Sequence, residues 1–288
     1  MSFTNLLLIL GSACLHVVAH IVLRGAANRS ARVWWILAFG SILFAPMVFL
    51  RWQSPPLEGY LILLISGVFE VGYYFSIACA YHFAGMSVVY PLARGTAPAL
   101  LLAWAMLLLG ERPPLGGVGG IALIVLGLYV VNLPRLGAWL EPLQAVRRSG
   151  PRWALLAGVC ISGYTVTDRF GLQYFDPLLY TVLKMWLASV GLLPLTVRQT
   201  GWSALKDELR VGWRGALAAG FTNIAAYAIV LYVMTLGAPA SYAGAMREIS
   251  VVLGAAVGVF WFKEAGAWPR MLGAGLVAAG VMMIKLFG

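Results

Sequence analysis

Several ionisable residues of this sequence lie inside long apolar stretches, where a buried charge costs about 3 kcal/mol and therefore suggests a function. Glu70 stands near the middle of one such stretch, with Tyr73 and Tyr74 close by. A carboxylate beside two phenols would bind a cationic group through its charge and through the aromatic faces. Because burial favours the protonated form of a carboxyl group, Glu70 is also the candidate for proton coupling. The alternative is a structural ion pair, for instance with Arg94.

Arg94 lies in the next apolar stretch, between Pro91 and Pro98. We expect the two prolines to interrupt the helix, and broken helices often line transport sites. An arginine there could bind a carboxylate or phosphate through two parallel hydrogen bonds. Arg247 occupies the matching place in the second half, with Glu248 beside it; adjacent helical residues point about 100° apart, so these two need not pair. The two arginines form either a paired anion clamp or a pair of structural locks.

The first apolar stretch carries Ser12, His16 and His20 at a spacing of four, which places them on one helical face. Histidine titrates near neutral pH, so this face could contact substrate or relay protons. The alternative is that the histidines only bond neighbouring helices. A metal site is disfavoured because no acidic ligand adjoins them, and no metal or other cofactor is expected.

Further candidates occur in the second half of the chain, where Tyr164 and Asp168 share one stretch. Lys184 lies eight residues into the following stretch, and we expect its side chain to snorkel towards the headgroups. A lining of both charge signs fits a zwitterion, whereas a bulky lipophilic drug would favour a mostly apolar pocket. The substrate-binding candidates are His16, His20, Glu70, Tyr73, Tyr74, Arg94, Tyr164, Asp168, Asn223, Tyr227, Arg247 and Glu248.

The elements that position these residues follow from the composition. Of 288 residues, 61% are hydrophobic and only 10% are charged, against roughly 25% charged in soluble domains. The net charge of +10 does not indicate nucleic acid, since the basic residues lie mostly in short spacers between apolar stretches. A helix crosses the hydrocarbon core with about 20 apolar residues. The predicted spans are 3–23, 33–50, 57–81, 84–109, 115–133, 153–172, 177–197, 213–236, 238–262 and 268–287. The longer connections are 134–152 and 198–211.

The chain repeats itself when its numbering is shifted by 153. Gly67 then matches Gly220, Arg94 matches Arg247, and Glu70 meets the polar Asn223. No single shift relates the first two spans to spans six and seven. Because each repeat has an odd number of spans, the two must cross the membrane in opposite directions. We therefore expect an all-α integral membrane protein of ten transmembrane helices, arranged as two inverted five-helix repeats (1–133 and 153–288) joined by a connecting loop (134–152). Such proteins are typically secondary transporters.

The sequence also resembles the EamA family of the drug/metabolite transporter superfamily. The resemblance rests on the fourth span ending in Leu109-Gly110-Glu111-Arg112 and on the glycine-rich stretch that follows it. The second copy ends in Lys263-Glu264 and is followed by 273–284. The resemblance to this family implies a carrier that exports amino acids, moves metabolites or expels drugs. Transport in the family is often coupled to protons or to exchange. His20 stands where one subgroup has asparagine.

These observations predict a secondary transporter of a small polar or zwitterionic, amino-acid-like metabolite, working by alternating access with proton coupling or exchange in the bacterial cytoplasmic membrane. One alternative is an exporter of cationic or aromatic drugs or amines. An alternative of another class is an intramembrane enzyme using His16 and His20, although the sequence lacks a His-Glu-x-x-His motif. The expected partners are a small-molecule substrate and membrane lipid, without nucleic acid. Both a monomer and a homodimer remain open.

The direction of threading is open as well. Lysines and arginines are concentrated in the connections after odd-numbered spans, such as 134–152 and 198–211. The positive-inside rule then places both termini outside the cytoplasm. The family resemblance implies the reverse. A reporter fused to Gly288 distinguishes the two.

Overall fold

The computed structural model describes residues 2–84, 86–131, 148–257 and 267–288, together with residues 133, 135, 137, 139 and 140. This part of the chain is all-α and contains no strand. The side chain of His20 and residues 258–266 lie outside the description, which removes Glu264 from it. The helices are α1 (Phe3–Arg24), α2 (Arg29–Leu43), α3 (Ala45–Arg51), α4 (Leu57–Phe83), α5 (Met86–Leu108), α6 (Leu115–Val131), α7 (Ser149–Gly171), α8 (Pro177–Thr235), α9 (Ala240–Met246), α10 (Ile249–Ala256) and α11 (Ala267–Phe287).

Local sequence signals explain where several helices start. The side chain of Asn28 accepts a hydrogen bond from the amide of Ala31 and so caps α2. Asp176 caps α8 in the same way, by accepting from the amides of Leu178 and Leu179. Pro177 follows it at the first helical position, where its missing N–H leaves no donor unsatisfied.

Four helical segments among the described residues are long and apolar enough to cross a membrane. They are Arg29–Arg51, Leu57–Phe83, Pro177–Thr235 and Trp268–Phe287. Shorter apolar helical segments are Phe3–Ala19, Leu92–Leu108 and Leu115–Val131. Large side chains such as Leu107 and Phe49 are exposed on the outer surface of this bundle, which is the expected arrangement where lipid rather than water is the solvent.

The predicted connection 198–211 is instead helical and belongs to α8. Gly201 divides α8, because its φ of 79° and ψ of 161° lie in a region that only glycine adopts readily. We refer to residues 177–200 as α8a and to residues 202–235 as α8b. The sequence did not indicate that this connection is helical, because polar residues such as Lys206 and Arg210 interrupt the apolar pattern without interrupting the helix.

The predicted interruption of the fourth span by Pro91 and Pro98 is wrong, because α5 is a continuous helix. Proline removes one backbone donor and can kink a helix without ending it. Between the two prolines, Thr96 Oγ1 donates to the carbonyl of Leu92 at 2.6 Å, which is a contact within the same helix.

The matching segment of the second half is broken instead, at Arg247 and Glu248 between α9 and α10. The amide of Glu248 donates to Ala245 O at 3.1 Å, and that of Ser250 donates to Arg247 O at 3.2 Å. These bonds join residues three apart, so the chain tightens into a 3₁₀-like turn. Such turns within a helix often mark functional sites.

The glycines of α6 and α11 show how the two halves face each other. A Cβ atom on Gly120 would lie 2.8 Å from Gly280 O, and one on Gly127 would lie 2.7 Å from Gly273 O. The shift of 153 relates Gly120 to Gly273 and Gly127 to Gly280, so each contact is the image of the other. Residue numbers rise along one helix as they fall along the other, which makes the pair antiparallel.

A second antiparallel pair, α2 with α8a, is joined by reciprocal hydrogen bonds. The indole Nε1 of Trp34 donates to Ser189 O, and that of Trp186 donates to Ser41 O, each at 2.9 Å. Helix α4 packs on α7, and α1 packs on α8b. Helices from both halves therefore enclose a common interior.

Candidate functional site

The buried interior between the two halves contains a cavity of about 60 Å³. Helices α1, α4, α5, α7 and α8, together with the turn at Arg247, contribute its walls. The lining residues are Ser12, His16, Glu70, Tyr73, Tyr74, Arg94, Ile161, Tyr164, Met185, Asn223, Ala226, Tyr227 and Arg247. Nine of the twelve substrate-binding candidates thus meet around one space, although they are spread over most of the chain.

Two other sequence candidates lie behind this lining. Glu248 contacts Arg94, and Asp168 contacts Tyr227 through the phenol hydroxyl. Both carboxylates are almost fully buried. Neither carboxylate lines the cavity itself; each one holds a lining residue in place. The backbone of His20 belongs to α1, but its side chain lies outside the described residues.

The two repeat-related arginines are held differently. Nη1 of Arg94 lies 3.0 Å from Oε1 and 3.2 Å from Oε2 of Glu248. Nη2 of Arg247 lies 3.7 Å from Oε1 of the same carboxylate, so the adjacent residues do approach each other. Within the described part of the chain, Nε of Arg247 is buried without a hydrogen-bond partner. Arg94 is thus tied to the second half, whereas Arg247 retains an unused donor.

Lys184 is not a snorkelling residue, because its side chain is 0% exposed. Its Nζ lies 2.7 Å from Asp168 Oδ2 and 3.3 Å from Glu70 Oε2. The sequence prediction failed because Lys184 stands eight residues into its span, within reach of a headgroup region. Only the packing of α8a against α4 and α7 shows that it faces two carboxylates. Asp168 also accepts hydrogen bonds from Ser66 Oγ and Tyr227 OH.

Four tyrosines form an aromatic wall beside these charges. The ring centroids of Tyr73 and Tyr74 are 4.8 Å apart, those of Tyr73 and Tyr164 are 6.4 Å apart, and those of Tyr164 and Tyr227 are 6.1 Å apart. Aromatic faces attract cations. The wall therefore favours an ammonium or another cationic group near Glu70, while Arg247 favours an anionic group.

Comparison with known proteins assigns the sequence to a family. The sequence profile of the EamA-like transporter family matches residues 3–133 and 148–286, which is nearly the whole chain. The chain belongs to the EamA-like transporter family. It is therefore an integral membrane protein of the drug/metabolite transporter superfamily, as the resemblance in its sequence predicted. A solved crystal structure superimposes on this EamA-family chain with a TM-score of 0.75 and 18% sequence identity, over 99% of each chain. No match was found among curated protein sequences.

Glu111 of the sequence motif that carried the EamA resemblance has a visible role in the structure. Its Oε1 accepts from the amide of Ala240 at 2.6 Å, and its Oε2 accepts from both the amide and the hydroxyl of Ser241. A carboxylate at a helix N-terminus accepts hydrogen bonds from the unpaired backbone amides and interacts favourably with the positive end of the helix dipole. Glu111 thus fixes the start of α9, the helix that ends directly before Arg247. Its repeat equivalent, Glu264, lies outside the described residues.

The first helix of each EamA repeat contributes a ring to the cavity, because His16 of α1 and Tyr164 of α7 both line it. Ser12 Oγ of α1 also donates to Ala226 O at 2.7 Å, which ties α1 to α8b.

Proposed function

We propose that this EamA-family protein is a secondary transporter that moves a small zwitterionic, amino-acid-like metabolite by alternating access. The proposal rests on the observation that side chains of opposite charge line the same cavity. Glu70 from the first half and Arg247 from the second half both line it. A zwitterion offers an ammonium to the carboxylate and a carboxylate or phosphonate to the guanidinium.

In this proposal the chain crosses the bacterial cytoplasmic membrane ten times, as two inverted five-helix repeats (1–133 and 153–288). The reciprocal glycine contacts of α6 and α11 support an axis that relates the two halves. The antiparallel pairing of α2 with α8a supports it independently. A substrate site between such repeats lies near the middle of the bilayer, and rocking of one bundle against the other exposes it to each side in turn.

The size of the cavity supports a small substrate. Its volume of about 60 Å³ is well below the roughly 300–1,000 Å³ of sites for drug-sized ligands. The competing proposal, an exporter of cationic or aromatic drugs or amines, draws support from the four tyrosines. It offers no ligand group to the buried Nε of Arg247, because a cation has no group for a guanidinium to bind.

Transport by purified protein in liposomes tests the proposal. The probes are radiolabelled L-alanine, 2-aminoethylphosphonate, methylammonium and tetraphenylphosphonium, each with and without a pH gradient. Protein-free liposomes are the control. A proton-coupled carrier responds to the gradient, whereas an exchanger responds to unlabelled substrate on the opposite side.

We expect uptake of at least one of the two zwitterions and none of tetraphenylphosphonium. Uptake restricted to the two cations would support the drug or amine exporter instead. An absence of flux for every probe, from protein that retains its helical circular dichroism spectrum, would count against the transport of small zwitterions.

A further inference from the structure

The ammonium group of Lys184 occupies a binding site built from side chains of three helices. Besides the two carboxylates, its Nζ lies 4.0 Å from the ring centroid of Tyr227 and 4.5 Å from that of Tyr164. Two carboxylates and two aromatic faces are the groups that recognise a free ammonium ion. Lys184 thus places a cation of the protein itself where the cationic end of a substrate would be attracted.

The two carboxylates hold this ammonium unequally. Asp168 binds it at 2.7 Å and accepts further hydrogen bonds from Ser66 and Tyr227. Glu70 is 3.3 Å away, and its Oε2 makes no hydrogen bond with any described residue. Lys184 can therefore leave Glu70 and remain satisfied by Asp168.

The position of the cavity decides which carboxylate meets a substrate. Glu70 lines the cavity, whereas Asp168 and Lys184 lie behind that lining. A substrate ammonium would therefore approach Glu70 from the cavity, opposite the lysine. Two carboxylates share one ammonium here, so the three groups together carry a net negative charge, which attracts a second cation.

An empty carrier must return across the membrane if it is to perform net transport. A bare buried carboxylate opposes this movement, because an uncompensated charge is strongly destabilising in a low-dielectric interior. We propose that Lys184 is a built-in counter-cation: it neutralises Glu70 while the site is empty and yields it to the ammonium of the substrate. This inference rests on the proposed transport of zwitterions and extends it to net transport rather than obligatory exchange.

A purely structural role is the competing explanation, in which Lys184 serves only to pair Asp168. The two explanations differ for the double variant Lys184→Met with Asp168→Asn, which removes that pair together. If the pairing of Asp168 is all that matters, the double variant recovers both kinds of transport. If Lys184 serves Glu70, the double variant still lacks the cation that the empty carrier needs.

The experiment compares net uptake into empty liposomes with exchange into liposomes preloaded with the same unlabelled compound. The probe is radiolabelled L-alanine, or 2-aminoethylphosphonate if the unaltered protein moves it faster, at equal pH on both sides. The variants are Lys184→Met and the double variant. Lys206→Met is the matched control, because Lys206 is exposed on α8b.

For the double variant we expect net uptake to fall by about tenfold or more while exchange stays within about threefold, since tenfold corresponds to a modest rise in the barrier for the empty carrier. Lys184→Met follows the same pattern if it folds, and Lys206→Met behaves as the unaltered protein. Unimpaired net uptake by the double variant would overturn the inference and leave the proposed function intact, as would equal losses of both fluxes. If the unaltered protein moves neither probe, both proposals fall together.

Discussion

The two halves of this protein carry an arginine at the same place in the repeat, and the two arginines have different surroundings. Arg94 lies on the continuous helix α5 and is bonded to Glu248 by both carboxylate oxygens. Arg247 lies at the break between α9 and α10 and keeps a buried Nε that no described residue accepts from. The anion clamp and the structural lock were alternatives from the sequence. The geometry favours Arg94 as the structural lock and Arg247 as the group that binds an anion.

The acidic position differs between the halves as well. Glu70 of the first half corresponds to Asn223 of the second, and both line the cavity. An inverted repeat with identical residues would present the same charge from both sides. Replacement of one carboxylate by an amide leaves an anionic pole in the first half and a cationic pole at Arg247 in the second.

The largest effect should come from Arg94→Met, because it leaves the buried Glu248 without its bonded partner. Removal of one member of a buried ion pair costs about 3–5 kcal/mol. We expect a large fall in the melting temperature of the detergent-solubilised protein, measured by intrinsic fluorescence during heating.

Arg247→Met is the matched variant for that comparison. It should retain most of the thermal stability, because its contact with Glu248 is 3.7 Å long, and it should instead raise the KM for the transported zwitterion. Equal losses of stability in the two variants would contradict the division of roles between the arginines.

Glu70→Gln should have the next largest effect. The amide cannot attract the ammonium of a substrate, and a hydrogen bond to a charged group contributes about 1.5–3 kcal/mol. We expect transport in liposomes to fall by roughly 10- to 100-fold, and any residual flux to be independent of the pH gradient. The protein should still fold, since Lys184 remains paired with Asp168.

Asn223→Gln is the control for this substitution, as it places the same new side chain at the equivalent position without a change of charge. It should alter transport much less than Glu70→Gln. Unchanged transport by Glu70→Gln would remove Glu70 from the mechanism.

A smaller and symmetric effect is expected at the glycines of α6 and α11. A Cβ atom would lie 2.7 Å from a backbone oxygen at Gly127 and 2.5 Å from one at Gly280. Overpacking of this kind costs about 1–3 kcal/mol, so Gly127→Ala and Gly280→Ala should lower the melting temperature by similar amounts. Gly275→Ala, on the same helix as Gly280, should not, because nothing lies within 4 Å of its Cβ position. A loss at one site only would break the equivalence of the repeats.

The smallest effect is expected from Glu111→Ala, which removes the acceptor at the start of α9. Loss of a capping group costs about 1 kcal/mol. We expect a slight fall in melting temperature together with a measurable loss of transport, because α9 leads directly to Arg247. An unchanged transport rate would show that the cap does not position the arginine.

Much of the candidate site could be predicted from the sequence. The repeat shift of 153 identified Glu70 with Asn223 and Arg94 with Arg247, and the structure places all four around one cavity. Charged and polar residues in an apolar stretch are conspicuous, and their depth follows from their distance to the ends of the stretch. The partners of these residues could not be predicted, because a contact such as Lys184 with Glu70 joins different helices.

The sequence by itself determined the family, the all-α class and most of the polar residues that line the cavity. These depend on composition, on the spacing of glycines and on hydropathy along one helix at a time. Only the tertiary structure decided that α5 is continuous, that the break falls at Arg247, and that Lys184 is buried between two carboxylates. Such features depend on which helices pack together and at what angle, and the free energy of a buried charge is set by neighbours that are remote in sequence.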